Sequence, residues 1–235
     1  MTNPPLDYTV RLSDRARNVR LSVSARDGLV IVVPRRFDVR RVPAIVESRH
    51  DWAERALARA DERRAHLADD APPTRIELPG IGETWQVEYR PSAGSGVRVH
   101  AAEGRIALSG AVHDAEECRV ALVRWVRRRA RDVLELRLRQ IAGEIGMPVS
   151  RVAIGWQRTR WGSCSATGTI SLNAKLLFLP PALLHSVLVH ELCHTQRLDH
   201  SAAFYAIVER HDPGHRTMRA ALRQAWRYVP GWAGE

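Results

Sequence analysis

The chain has 235 residues, of which 45% are hydrophobic. That is enough to build a packed core, which excludes a disordered tail or a fibrous repeat. Its formal net charge is +10, carried almost wholly by arginine, with Lys175 the only lysine. Three cysteines, Cys118, Cys164 and Cys193, are odd in number and irregularly spaced, which argues against a disulfide framework and for a reducing, cytoplasmic setting.

The N-terminus, "MTNPPLDYTVRLSDRARNVR", lacks the apolar stretch of a secretory signal, and no run of apolar residues is long enough for a membrane span. In "VRLSVSARDGLVIVVP", Val19, Leu21 and Val23 alternate with polar residues. Asp27-Gly28 then reads as a hairpin turn, followed by the apolar run Leu29 to Val33. Residues 38–65 take a helical period through Val42, Ile45, Val46, Trp52, Ala56 and Leu57. The "DDAPPT" stretch at 69–74 is a linker or turn.

Strand patterns return at Ile76 and Leu78, Trp85, Val87 and Tyr89, Val97 and Val99, and Ile106 and Leu108, punctuated by glycines. A small antiparallel sheet with one helical excursion is therefore expected over 1–112. From Asp114 the character changes. Leu122, Val126, Ala130, Leu134, Leu138, Ile141 and Ile145 recur at helical spacing, which predicts one long amphipathic helix over 115–145. Arg127, Arg128, Arg129 and Arg131 lie mostly off that stripe and read as a solvated face. Gly146 and Pro148 end the helix. Two short strands are expected around Ser163–Thr169. Pro180-Pro181 opens a helix over about 181–197, and two helical stretches follow near 201–210 and 214–228. The fold class is thus α+β, with a β-rich region over 1–112 and a mainly helical domain with a short sheet over 113–235.

The chemistry concentrates in "SVLVHELCHTQRLDHSAAF", residues 186–204. His190 and His194 stand four apart, on one face of a helix, and can offer two imidazoles to one metal. A catalytic zinc takes three protein ligands and keeps a fourth position for water. Glu191, directly after the first ligand, is placed to act as base on a zinc-bound water. His200 is the candidate for the third ligand. Continued helix would carry it about 9 Å past His194, so the chain must turn near Arg197–Asp199, with Ser201 capping the next helix. Cys193 falls on another face of the helix and reads as core packing.

With "TRWGSCSATGTISLNAKLLFLPPALLHSVLVHELCHTQRLDHSAAFYAIVERHDP" on the page, the chain resembles the YgjP-like metallopeptidase domain family, relatives of the SprT-like proteases. The carriers are Arg160-Trp161-Gly162-Ser163-Cys164-Ser165, Gly168, Leu172-Asn173, His190-Glu191-Leu192-Cys193-His194, His200-Ser201 and Phe204. The resemblance spans about 15–228 and is sharpest over 156–215. It implies a zincin architecture in which the strand around Ile170–Asn173 is an edge strand along the cleft. The RWGSC stretch would then be a structural turn, with Cys164 no nucleophile. Arg197 stands where metzincins carry glycine, and Met218 lies in a helical pattern, so the chain is not a metzincin. The residue that stabilises the transition state stays open among Tyr205, His211, His215 and Arg216.

The expectation is a zinc-dependent hydrolase, a metallopeptidase acting on a protein or peptide, monomeric and with no membrane partner. One alternative keeps the zinc but attacks a phosphoanhydride, making a nucleotide pyrophosphohydrolase whose arginines hold phosphates. Another is a basic nucleic-acid-binding protein with a structural metal, which would leave Glu191 idle.

Overall fold

In the computed structural model, residues 6–14, 16–24, 28–66 and 72–234 are described. The chain forms two compact units, residues 1–69 and 70–235. The first carries β1 (Tyr8–Ser13), β2 (Arg20–Ser24) and β3 (Gly28–Pro34), then α1 (Val42–Glu47) and α2 (His50–His66). β2 and β3 pair antiparallel from Ser24 opposite Gly28, as their alternation predicts. The turn residue Asp27 lies outside the described residues. β1, which the sequence does not announce, pairs in parallel with β3, so this sheet is mixed rather than antiparallel. Leu29, Ile31, Val33, Val42, Val46 and Ala53 make its core. Trp52, expected on the inner face of the helix, is exposed, and Ala53 takes the buried position.

The second unit begins with β4 (Arg75–Leu78), β5 (Glu83–Pro91), β6 (Val97–Ala102) and β7 (Arg105–Gly110). The linker expected at 69–74 falls partly outside the described residues. The sheet order is β4-β5-β7-β6, with β5 and β7 parallel and the other pairs antiparallel. Its inward residues Ile76, Leu78, Val87, Ile106 and Leu108 are buried in one cluster with the stripe of α3 (Ala115–Ile145). The boundary expected at 112/113 therefore lies inside this unit. A 31-residue amphipathic helix needs an apolar surface to cover its stripe, and the 75–110 sheet provides it.

α3 starts where the Asp114 carboxylate accepts from Glu116 N and Glu117 N and stops at Gly146 in the left-handed region, φ 68°. Of the arginines on its outer face, Arg129 is not merely solvated. It forks onto the Glu83 carboxylate, its Nε donating at 3.0 Å, and holds that carboxyl below its usual range against the opposing effect of burial.

Beyond α3 come β8 (Arg151–Gly155), β9 (Gly162–Cys164) and β10 (Thr169–Asn173). β10 is central: β8 pairs with it in parallel and β9 antiparallel. The edge strand expected at Ile170–Asn173 is thus a paired strand, and β9 takes the edge beside the helices. Ile170 and Leu172 are fully buried, which suits an inner strand. A 3₁₀ turn, Ala174–Phe178, leads through Leu179 and Pro180 into α4 (Pro181–Cys193). Then follow α5 (Ala202–His211), α6 (His215–Leu222) and α7 (Gly231–Gly234). The third predicted helix, 214–228, is α6 followed by a separate 3₁₀ turn, Ala225–Tyr228. Lys175 is fully buried. Its Nζ donates to Gly234 O at 2.8 Å and lies 5.1 Å from the Trp156 ring and 5.4 Å from the Trp226 ring. No helix among the described residues is long and apolar enough to cross a membrane.

Candidate metal centre

α4 is apolar on nearly every face: Leu183, Leu184, Val187, Leu188, Val189, Leu192 and Cys193 are buried. A helix of that kind sits inside the protein, so polar residues on it are desolvated. His190 and Glu191 are carried on its last turn, and His194 caps it. The chain then turns, with Arg197 N donating to Cys193 O at 3.2 Å. His194 Nδ1 meets Arg197 O at 3.0 Å, which turns Nε2 toward His190. Asp199 accepts from Arg197 Nε and Ser201 N, both at 3.0 Å, and Ser201 Oγ accepts from Phe204 N to open α5. That short, internally bonded turn brings His200 back over α4.

The three imidazoles converge. His190 Nε2 lies 3.2 Å from His194 Nε2 and 3.3 Å from His200 Nε2, and ligand atoms of all three lie within 4.8 Å of one another. Tetrahedral ligands at zinc–nitrogen distances of about 2.0–2.1 Å stand about 3.3 Å apart, which both separations from His190 match. Burial, reinforced by the neighbouring imidazoles, pushes His190 down to about 4, and burial also lowers His194. Both shifts favour the neutral ring, the form that ligates metals. Phe204, fully buried, backs the triad. Its ring stacks on His194 at 4.3 Å and 17° and meets His190 and His200 edge-on at 5.1 and 5.2 Å.

A cleft of about 490 Å³ opens on this cluster. Trp161 and Gly162, His190, Glu191 and His200, and Tyr205, His215 and Arg219 all line it. Glu191 is 5% exposed, and its Oε2 has no hydrogen-bond partner among the described residues. Burial drives its carboxyl up to about 7, with Arg160 pulling it back. The same cleft brings together aromatic and basic groups from α5 and α6. The Tyr205 ring stacks on His215 at 5.8 Å, and the Arg219 guanidinium lies 5.0 Å over Tyr205. Glu209 Oε2 is 2.9 Å from His215 Nδ1 but off the hydrogen-bonding line, so Nδ1 has no hydrogen-bond partner among the described residues.

Of the residues left open as transition-state stabilisers, Tyr205 and His215 line the cleft, whereas His211 and Arg216 do not. Arg219 does, and the sequence had not singled it out; a signal would have been its place one turn past His215 on α6. Cys164 and Cys193 are not poised as nucleophiles. Burial raises both thiols, Cys193 to about 11.

Among curated proteins none matches the chain. Among solved structures, the crystal structure of the metallopeptidase zymogen abylysin of Pyrococcus abyssi is similar at 24% identity, covering 39% of this chain and 93% of that one, with a TM-score of 0.36. A model of the YgjP-like metallopeptidase domain matches residues 17–225. The chain therefore belongs to the YgjP-like metallopeptidase domain family.

Proposed function

We propose that the protein is a zinc-dependent metallopeptidase in which His190, His194 and His200 hold the ion and Glu191 is the general base. The observation that carries this reading is the convergence of three imidazole nitrogens beside a buried carboxyl group whose Oε2 has no hydrogen-bond partner among the described residues. Zinc, when bound, polarises a scissile carbonyl and lowers the pKa of water toward neutrality. Glu191 takes a proton from the attacking water at its carboxylate and returns it to the departing amine. Tyr205 and His215 face the same space and are the candidates to donate hydrogen bonds to the developing oxyanion. An extended peptide has a place to bind at β9, the edge of the β8-β10-β9 sheet, where main-chain hydrogen bonds can add a strand. The cluster comprises three histidines, as in catalytic sites, whereas structural zinc sites close with four protein ligands.

Arg219 favours a second reading. It lines the cleft with no carboxylate partner among the described residues and could hold a phosphate as readily as a peptide carboxylate. A nucleotide pyrophosphohydrolase would use the same ion and the same Glu191. Mass spectrometry of products from unfolded protein and from nucleoside triphosphates, with Glu191→Gln beside wild type, separates the two. Glu191-dependent peptides support the peptidase, and Glu191-dependent nucleoside monophosphate supports the alternative.

A further inference from the structure

The RWGSC stretch runs along the cleft wall and is pinned from behind. The buried Asn173 donates its backbone N–H to Trp161 O at 2.8 Å. Its Nδ2 donates to Gln157 O and Arg160 O, both at 2.9 Å. The Trp161 ring stacks on Trp226 with centroids 4.2 Å apart and planes 19° from parallel. Gly162 itself sits opposite Leu172 in the β9–β10 ladder. The backbone there cannot retreat without breaking those contacts.

Gly162 is outside the left-handed region, so no special backbone conformation demands glycine. Space does. A Cβ at this position would lie 2.6 Å from Glu191 Oε1, 2.7 Å from Cγ and 2.8 Å from Cδ, against about 3.5–4.0 Å for a comfortable carbon–carbon contact. Because the strand is pinned, the group that must yield is the Glu191 side chain. The buried Oε2 has no hydrogen-bond partner among the described residues, so its position is set by packing. We infer that Gly162 is a positioning residue for the general base: its missing side chain is the berth that aims the Glu191 carboxylate into the cleft. The inference rests on the reading of Glu191 as base.

The test is a double-mutant cycle of Gly162→Ala and Glu191→Ala in the full chain. Melting temperature is read on metal-stripped protein. Zinc stoichiometry, kcat and KM are read on loaded protein with fluorescently labelled unfolded casein. In the wild-type background Gly162→Ala lowers Tm by several degrees, the effect of overpacking a tight site. In the Glu191→Ala background the three atoms nearest the added methyl group are gone, and the loss largely disappears. Gly162→Ala keeps its zinc and its KM while kcat falls by about 10²-fold, the scale of a 1 Å misplacement. Equal Tm losses in both backgrounds, no loss in either, or full kcat in Gly162→Ala would overturn the inference. Full activity in Glu191→Ala would overturn the base assignment instead, while the Tm cycle still reports whether Gly162 makes room for that side chain.

Discussion

Phe204 gives the most quantitative handle on the metal centre. Its ring is fully buried, stacked on His194 at 4.3 Å and set edge-on to His190 and His200. One ring thus packs against all three imidazoles, of which His194 is also tied to Arg197 O. Replacing it by leucine keeps the site apolar and near its volume, which costs under about 1.5 kcal/mol in packing. The lost aromatic contacts add about 0.5–1.5 kcal/mol. Together they amount to about 2 kcal/mol, or about 4–8 °C in Tm at 2–4 °C per kcal/mol for a chain of this size. The fold survives, but the imidazoles gain freedom, and groups that orient ligands typically matter by about 10–100-fold in metal affinity. Phe204→Leu should therefore weaken zinc binding by about that factor, measured by competition with a chromophoric chelator. An unchanged zinc affinity with the lowered Tm would mean that Phe204 fills the core without holding the imidazoles.

Two further outcomes follow from the same contacts. His200→Ala should lose stoichiometric zinc by elemental analysis with an unchanged circular dichroism spectrum, since His200 is exposed on the short turn after α4 and only its ring reaches the cluster; full zinc content would remove it from the ligand set. Asn173→Ala should lower Tm measurably, because it strips the donor to Gln157 O and Arg160 O and the acceptor of Lys175 N, leaving those groups to find new partners. The expected cost is about 2–4 kcal/mol, and an unchanged Tm would mean that water replaces the amide.

The histidines were legible because their geometry is local: four residues fix two imidazoles on one helix face, and a polar turn with a serine cap supplies the return for the third. The strands over 75–110 and the stripe of α3 were legible from periodicity. What periodicity does not encode is partnership. β1 and β8 each find a parallel partner across intervening chain, so neither has a hairpin signal. The boundary between units shifted from 112/113 to 69/70 because alternation in the 75–110 strands shows an apolar face but not which element covers it. The burial of Lys175 depends on Trp156, Trp226 and Gly234 meeting in space. Arg219 and the role of Gly162 likewise arise only when α6 and β9 come to face α4. RWGSC reads as a structural turn in the sequence, and in the fold it is the wall against which Glu191 rests.

The proposed metal-dependent peptide hydrolysis depends on Glu191 and the three histidines acting together. The most direct measurement is a mass-spectrometric product assay of zinc-loaded wild type beside Glu191→Gln, with zinc content checked in both, on unfolded protein and on nucleoside triphosphates. Equal zinc, new peptides with wild type and none with Glu191→Gln are expected. Peptides formed equally by both proteins, or nucleoside monophosphate as the only Glu191-dependent product, would contradict the proposal.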